Sequence, residues 1–155
     1  MTLPTSFDVA TRAQEADVWQ GYTRLADSEL STRQTRYLLF ARALADAIGV
    51  ERAISWGEAT PDAWTDGHSR IVITDSAVTS SKWAVWTHDL FLVLCHEAAH
   101  DRPDKRRTAH GRRFESRFRE LVEDPTVRAA YTGLVTTIAD RGFETVFQER
   151  GVSLE

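Results

Sequence analysis

The segment His96-Glu97-Ala98-Ala99-His100 constrains this chain more than any other part of its sequence. It directly follows the apolar run from Phe91 to Cys95, which predicts that the segment lies on a buried helix. Two histidines four residues apart project from one face of a helix, so their imidazoles can bind the same ion. In a chain with five histidines, roughly 0.01 segments of this form are expected by chance. The pattern therefore predicts a metal-binding helix.

The residue types of this segment indicate hydrolysis. Neutral imidazole is a good ligand for zinc, and a catalytic zinc takes three protein ligands and leaves one position for water. Glu97 follows the first histidine directly, and its carboxylate can take a proton from that water and pass it to the leaving amine. We expect a zinc-dependent metallopeptidase with His96 and His100 as metal ligands and Glu97 as general base. The alternative is a helix with two incidental surface histidines.

Two histidines do not complete a catalytic zinc site, so a third ligand must come from elsewhere in the chain. His110 is the first candidate, because it precedes Gly111, which allows a close backbone approach. A glutamate on the following helix is the alternative, and Glu115 and Glu120 are the side chains available there.

The HExxH segment followed by His110-Gly111-x-x-Phe114 resembles the SprT-like, or Spartan-type, family of zincin metallopeptidases over about residues 35–122. The resemblance implies an α+β zincin-like fold, in which a small antiparallel sheet packs on the helix that carries HExxH. It also implies that His96, His100 and His110 bind Zn²⁺, and that an extended protein or peptide substrate lies along an edge strand near Ile71 to Thr74. The C-terminal zinc-binding or DNA-binding appendages of that family are absent from these 155 residues.

Apolar residues with helical spacing predict further helices before and at the motif. From Asp8 to Asp27 they recur every three or four residues, which predicts an N-terminal helix within residues 1–30. The next helix is predicted between Ser31 as N-cap and Gly49 as a left-handed C-cap. The motif helix is expected from about Ser80 to His100.

The chain after the motif is also predicted to be helical. A buried stripe that includes Phe114 and Phe118 predicts a helix from near His110. Asp124-Pro125 then serves as N-cap and first residue of a long helix. With a short tail from Phe143, these C-terminal helices are expected over residues 125–150.

Between the second and the motif helix the pattern changes to short strands. Ala53 to Trp56 and Arg70 to Thr74 are rich in β-branched and aromatic residues. The turn dipeptide Asp66-Gly67 predicts a hairpin of Ala63 to Thr65 against Ser69 to Ile73. We therefore expect two or three antiparallel strands.

Composition limits the class of protein. The length and the 42% hydrophobic content fit a single domain over residues 1–155. One cysteine excludes an intramolecular disulfide within these residues and fits a reducing, cytoplasmic setting. Neither a signal peptide nor an apolar run long enough to span a membrane is found, so no membrane contact is expected.

The net charge of -4 argues against a surface that is basic throughout, so any contact with nucleic acid must be local. The segment of residues 102–113 is locally basic. Its functional interpretation is a patch that contacts phosphates beside the active site, which would suit a protease of DNA-associated proteins. Its alternative interpretation is a solvated loop. The basic residues concerned are Arg102, Lys105, Arg106, Arg107, Arg112 and Arg113.

Two other functions are compatible with the same motifs. The chain could be the metallopeptidase-like part of a larger regulatory protein. It could also be a zinc-stabilised interaction module that cuts no peptide, although a structural zinc site has no need of a carboxylate beside a ligand.

Overall fold

The computed structural model describes residues 18–19, 22–58, 63–65, 69–100 and 112–149. Within these residues the chain forms both helices and strands. The described strands are β1 (Val18–Trp19), β2 (Tyr22–Arg24), β3 (Ala53–Glu58), β4 (Ala63–Thr65) and β5 (Arg70–Thr74). The described α-helices are α1 (Thr32–Ile48), α2 (Trp83–Ala99), α3 (Arg112–Glu123), α4 (Pro125–Arg141) and α5 (Phe143–Glu149).

Helix α1 begins and ends where the sequence predicts. The Ser31 hydroxyl accepts a hydrogen bond from the backbone N–H of Gln34 at 3.1 Å, and Oε1 of Gln34 accepts one from the N–H of Ser31 at 3.0 Å. This capping box satisfies N–H groups that have no partner within the helix. At the other end Gly49 has φ 83°, a left-handed conformation that residues with a side chain rarely adopt.

The helices after the motif confirm the predicted boundaries. Asp124 accepts a hydrogen bond from the N–H of Val127 at 2.9 Å, and Pro125 is the first residue of α4. Helix α5 begins at Phe143, whose ring stacks on that of Phe147 with 4.4 Å between the ring centres. Both phenylalanines are buried, so this short helix packs against the core.

The predicted N-terminal helix from Asp8 to Asp27 is wrong in the part that the structure describes. Val18–Trp19 and Tyr22–Arg24 are strands, and a 3₁₀ turn covers Asp27–Glu29. Strand β1 pairs with β2, and β2 pairs with β3, both antiparallel. β-branched and aromatic residue types fill these positions, and such residues favour strands when a partner strand is available. Residues 1–17 of the prediction lie outside the described residues.

The strands form one mixed sheet in the order β1-β2-β3-β5-β4. Strands β3 and β5 run parallel, with Ile54 opposite Ile71 and Trp56 opposite Ile73, so the predicted antiparallel sheet is wrong for this central pair. Strand β4 pairs antiparallel with β5, with Ala63 opposite Ile73, which confirms the predicted hairpin. The chain reverses from β3 to β4 and again from β4 to β5. Two reversals return β5 to the direction of β3, and β5 pairs with β3 on one side and β4 on the other.

The core lies between this sheet and the helices. Phe40 of α1, Trp56 of β3 and Phe91 of α2 are almost completely buried. Trp86 joins α2 to α1, since its ring centre is 4.9 Å from that of Tyr37 and 5.3 Å from that of Phe40. Tilted and edge-to-face aromatic pairs of this kind stabilise a core beyond the area they bury. Buried side chains of α1, β3, β5, α2, α4 and α5 belong to one hydrophobic cluster.

The longest described helices, α1, α2 and α4, have 17 residues each. A helix needs about 20 mostly apolar residues to cross a bilayer. None of the described helices meets the requirements of length and apolar character for such a span.

Candidate metal centre

Helix α2 carries the HExxH segment in its last turn, as predicted. Leu90, Leu94 and Cys95 are fully buried, and the helix packs against α1 and α3. The helix ends at Ala99, and His100 is its C-cap, with extended backbone angles. The apolar run before the motif therefore anchors the helix in the core and fixes the position of the motif at its end.

His96 and His100 lie side by side. Their ring centres are 5.1 Å apart and their planes make an angle of 73°. Two imidazoles that share one tetrahedral zinc, each with a Zn–N distance of ~2.1 Å, have ring centres roughly 5 Å apart. The pair therefore has the separation expected of two ligands of one ion.

Helix α3 covers the two histidines with aromatic rings. The Phe114 ring stacks on His100, with 4.5 Å between ring centres, and meets the His96 ring edge-on at 4.8 Å. Phe118 contacts His96 from the next turn, at 5.8 Å. Packing against rigid rings restricts the rotation of both imidazoles, which helps to hold ligands in a productive geometry.

The carboxylate of Glu97 is buried, with only 5% of the residue exposed. Among the described residues it accepts no hydrogen bond and forms no ion pair. An ionised carboxylate without a partner is costly to bury. Burial raises the pKa of Glu97 to about 7, although the nearby Arg52 charge acts to lower it. In the described part of the chain this carboxylate is thus buried without a hydrogen-bond donor.

Arg52, which no sequence motif indicates, binds the end of the motif helix. Its guanidinium donates hydrogen bonds to the backbone carbonyl of Glu97 and, at 2.8 Å, to that of His100. The Glu97 carbonyl also accepts from the N–H of His100 at 3.2 Å, and the helix dipole favours a cation at this end of the helix. Nη1 of Arg52 also donates to the Thr65 hydroxyl at 3.3 Å, which in turn donates to the Arg70 carbonyl at 2.6 Å. One guanidinium thus joins the motif helix to strand β4.

A third metal ligand is not found among the residues that the structure describes. Glu115 and Glu120 occupy exposed positions on α3. No group of three His, Cys, Asp or Glu side chains in the described parts of the chain is placed to hold an ion. The glutamates therefore do not join His96 and His100. His110 lies outside the described residues; in the sequence it precedes Phe114 by four residues.

Comparisons with known proteins do not identify a family for this chain. No family model, curated protein or solved structure matches this chain. The resemblance to SprT-like peptidases therefore rests on the HExxH segment and on His110-Gly111-x-x-Phe114, and it stays a prediction.

The strand expected to hold the substrate is not an edge strand. Ile71 to Thr74 belong to β5, which is paired with β3 on one side and β4 on the other. A strand paired on both sides has no free row of backbone groups for a peptide to bind. In the described sheet β4 is the outermost strand on this side, and it contacts α2. The edge beside the motif helix is therefore Ala63–Thr65.

Two of the six basic residues expected to contact DNA lie in the described part of the chain. Arg112 and Arg113 are exposed in the first turn of α3. The contact with nucleic acid stays a prediction. The other four residues, which lie outside the described residues, are Arg102, Lys105, Arg106 and Arg107.

Proposed function

We propose that this chain is a zinc metallopeptidase in which His96, His100 and His110 hold the ion and Glu97 is the general base. One observation carries the proposal: two imidazoles lie 5.1 Å apart, and the residue after the first is a buried carboxylate. A purely structural site gains nothing from burying the Glu97 carboxylate with no hydrogen-bond donor among the described residues, and the cost of that burial favours a role in catalysis. Hydrolysis is therefore preferred to a non-catalytic interaction module.

Glu97 and Arg52 would have separate roles in the proposed hydrolysis. When bound, zinc would lower the pKa of water towards ~7 and polarise the carbonyl of a peptide. Glu97 would accept a proton from the attacking water and return it to the leaving amine. Arg52 would restrain the last turn of α2 through the carbonyls of Glu97 and His100, so that base and ligand keep their relative positions.

A zincin-like arrangement of edge strand and motif helix is part of the proposal. It is supported by strand β4, whose Thr65 hydroxyl is joined through Arg52 to the end of α2. An extended peptide that adds to an edge strand gains main-chain hydrogen bonds, and its alternate side chains can enter pockets. We place the protein or peptide substrate along Ala63–Thr65 and no longer along β5.

Proteins bound to DNA are a narrower form of this substrate class. The support is the position of Arg112 and Arg113, since the helix that they begin also carries Phe114, the ring that stacks on His100. A phosphate backbone bound by these arginines would lie near the histidine pair.

The decisive variant is Glu97→Gln, which keeps the size of the side chain and removes the base. It should leave zinc bound and lower the cleavage of an unfolded, fluorescein-labelled casein by ~10²-fold or more, the scale of general acid–base catalysis. Glu120→Gln is the matched control, because Glu120 is exposed on α3; it should leave both properties unchanged. Equal cleavage by wild type and Glu97→Gln would refute the assigned mechanism. Cleavage by neither protein would favour the interaction module.

Metal content tests the ligands separately. Purified wild type reconstituted at neutral pH should hold one zinc per chain, and His110→Ala should lose most of it. Glu115→Ala and Glu120→Ala should not. If the glutamate variants lose zinc and His110→Ala keeps it, the site is of the thermolysin-like kind.

A further inference from the structure

A cavity of about 600 Å³ lies at the opposite end of α2 from the HExxH segment. Trp83 and Trp86, in the first turn of that helix, line it. Trp86 precedes His96 by ten residues, which corresponds to ~15 Å along a helix. The cavity is therefore separate from the candidate metal centre, and its volume is in the range of ~300–1,000 Å³ found for small-molecule sites.

Aromatic rings from three helices form much of the cavity wall. Trp83 and Trp86 pack edge-to-face with 5.0 Å between ring centres, and Tyr37 of α1 and Phe143 of α5 complete this part of the lining. Faces of aromatic rings bind flat rings by offset stacking or edge-to-face contact. The wall is suited to a ligand that is itself an aromatic ring.

The charged residues in the lining are both arginines, Arg33 and Arg36. Arg36 is partly neutralised, because it forms an ion pair with Glu144 at 3.1 Å and lies over the Phe143 ring at 4.8 Å from its centre. Arg33 is exposed, and its guanidinium has no ion pair or hydrogen bond with any residue in the described ranges. The cavity thus has an excess of positive charge in a chain of net charge -4.

The hydroxyl of Tyr37 is a second, independent indication of a ligand. Tyr37 is 5% exposed and lines this cavity and the one adjoining it, yet its hydroxyl has no hydrogen-bond partner within the described chain. A hydroxyl at the wall of a cavity can donate to a ligand bound there. Arg33 and Tyr37 are four residues apart on α1 and both line the cavity, so guanidinium and phenol lie on one face of the helix. Burial raises the pKa of Tyr37, and the charge of Arg33 acts to lower it. Asp75, whose charge also acts on this phenol, already accepts from Trp56 at 2.7 Å and from Gln34 at 3.0 Å.

We propose that this cavity binds a small anion that carries a flat aromatic ring. The ring lies against Trp83 and Trp86, and the carboxylate or phosphate accepts hydrogen bonds from the Arg33 guanidinium and the Tyr37 hydroxyl. This site does not depend on the proposed peptidase activity. Nucleotides and aromatic carboxylates share the required chemistry, and binding measurements separate them.

The test is calorimetric titration of the full chain with adenosine 5′-monophosphate and with indole-3-acetate. At least one should bind, and adenosine or inorganic phosphate alone should bind ~10-fold more weakly or worse, because each lacks one half of the ligand. Whichever anion binds more tightly identifies the source. Failure of both anions to bind at concentrations up to about 5 mM, which corresponds to less than ~3 kcal/mol of binding, would overturn the proposal. So would equally tight binding of phosphate alone.

Variants locate the site. Arg33→Gln should weaken binding by ~10-fold or more, and Tyr37→Phe, which removes one hydrogen bond to a charged acceptor, by a similar factor. Arg119→Gln makes the same charge change on exposed α3 and should leave the affinity unchanged, as should His100→Ala, which removes a proposed zinc ligand. Binding that survives both Arg33→Gln and Tyr37→Phe, or that is lost in His100→Ala, would overturn the assignment. Arg33 is at the surface, so we expect Arg33→Gln to fold normally. It remains informative even if Tyr37→Phe lowers the Tm.

Discussion

Replacing Arg52 tests whether one guanidinium holds the motif helix against the sheet. In Arg52→Ala, the carbonyls of Glu97 and His100 and the Thr65 hydroxyl each lose a donor. Hydrogen bonds to charged groups contribute ~1.5–3 kcal/mol each, but the Glu97 carbonyl keeps its bond from the His100 N–H and the Thr65 hydroxyl its bond to the Arg70 carbonyl. Arg52 is only half-buried, so water can replace part of these bonds, and we expect a total loss of about 2–3 kcal/mol in the free energy of unfolding.

For a chain of this size, ~1 kcal/mol corresponds to ~2–4 °C, so the Tm should fall by about 5–10 °C. The assay is thermal unfolding followed by circular dichroism, with urea unfolding as a second measure of the free energy. Arg52→Lys should lie between wild type and Arg52→Ala, since an ammonium keeps the charge near the helix end but lacks the planar fork of donors. Arg119→Ala is the surface control. A loss in Arg52→Ala no larger than that of Arg119→Ala would show that the helix end does not depend on these bonds.

Two further predictions concern a cap and the basic segment. Asp124→Ala removes the acceptor that caps α4 and should lower the free energy of unfolding by ~1 kcal/mol in urea unfolding, whereas Asp124→Asn should be nearly neutral; equal losses in both would contradict a capping role. If the basic segment contacts DNA, the logarithm of the binding constant should fall linearly with the logarithm of salt concentration, because bound phosphates release counterions. Fluorescence anisotropy should then show a flatter slope when Arg106, Arg107, Arg112 and Arg113 are changed to Ser, and no binding even at low salt would leave the solvated-loop interpretation.

The helices were predictable because their signals are local. Ser31 and Gly49 bound α1 through side-chain and backbone chemistry that spans no more than four residues. Asp124-Pro125 does the same for α4. The apolar stripe between such caps then shows which face of the helix is buried. This face can be predicted without knowing which element packs against it.

The strands were harder because pairing partners decide them. Tyr22–Arg24 has spacing compatible with a helix, but pairing with β3 makes it a strand. Burial without alternation of Ala53 to Gly57 and Ile71 to Thr74 fits the parallel pairing of β3 and β5. Continuous apolar strands of this kind are typical of parallel sheets.

In the candidate site, too, the residues with local signals could be predicted and the distant one could not. His96, Glu97 and His100 lie within five residues, so helical spacing alone was enough to bring the two imidazoles together. Phe114 was predicted on a buried stripe, and its ring contacts both histidines. Arg52 is 45 residues from Glu97 in the sequence. An arginine before a strand carries no local sign of such a contact.

The corrected sheet order changes what the site can bind. In the expected antiparallel arrangement, β5 was the strand beside the motif helix and would have offered its backbone to a peptide. Since β5 instead lies between β3 and β4, only β4 can play that part on this side of the described sheet. The hydroxyl of its Thr65 accepts from Arg52, whose guanidinium also binds the carbonyls of Glu97 and His100. One side chain therefore contacts strand β4 and the backbone of both the proposed base and a proposed ligand. Under the proposed function, a substrate bound along β4 would be held at a fixed distance from Glu97.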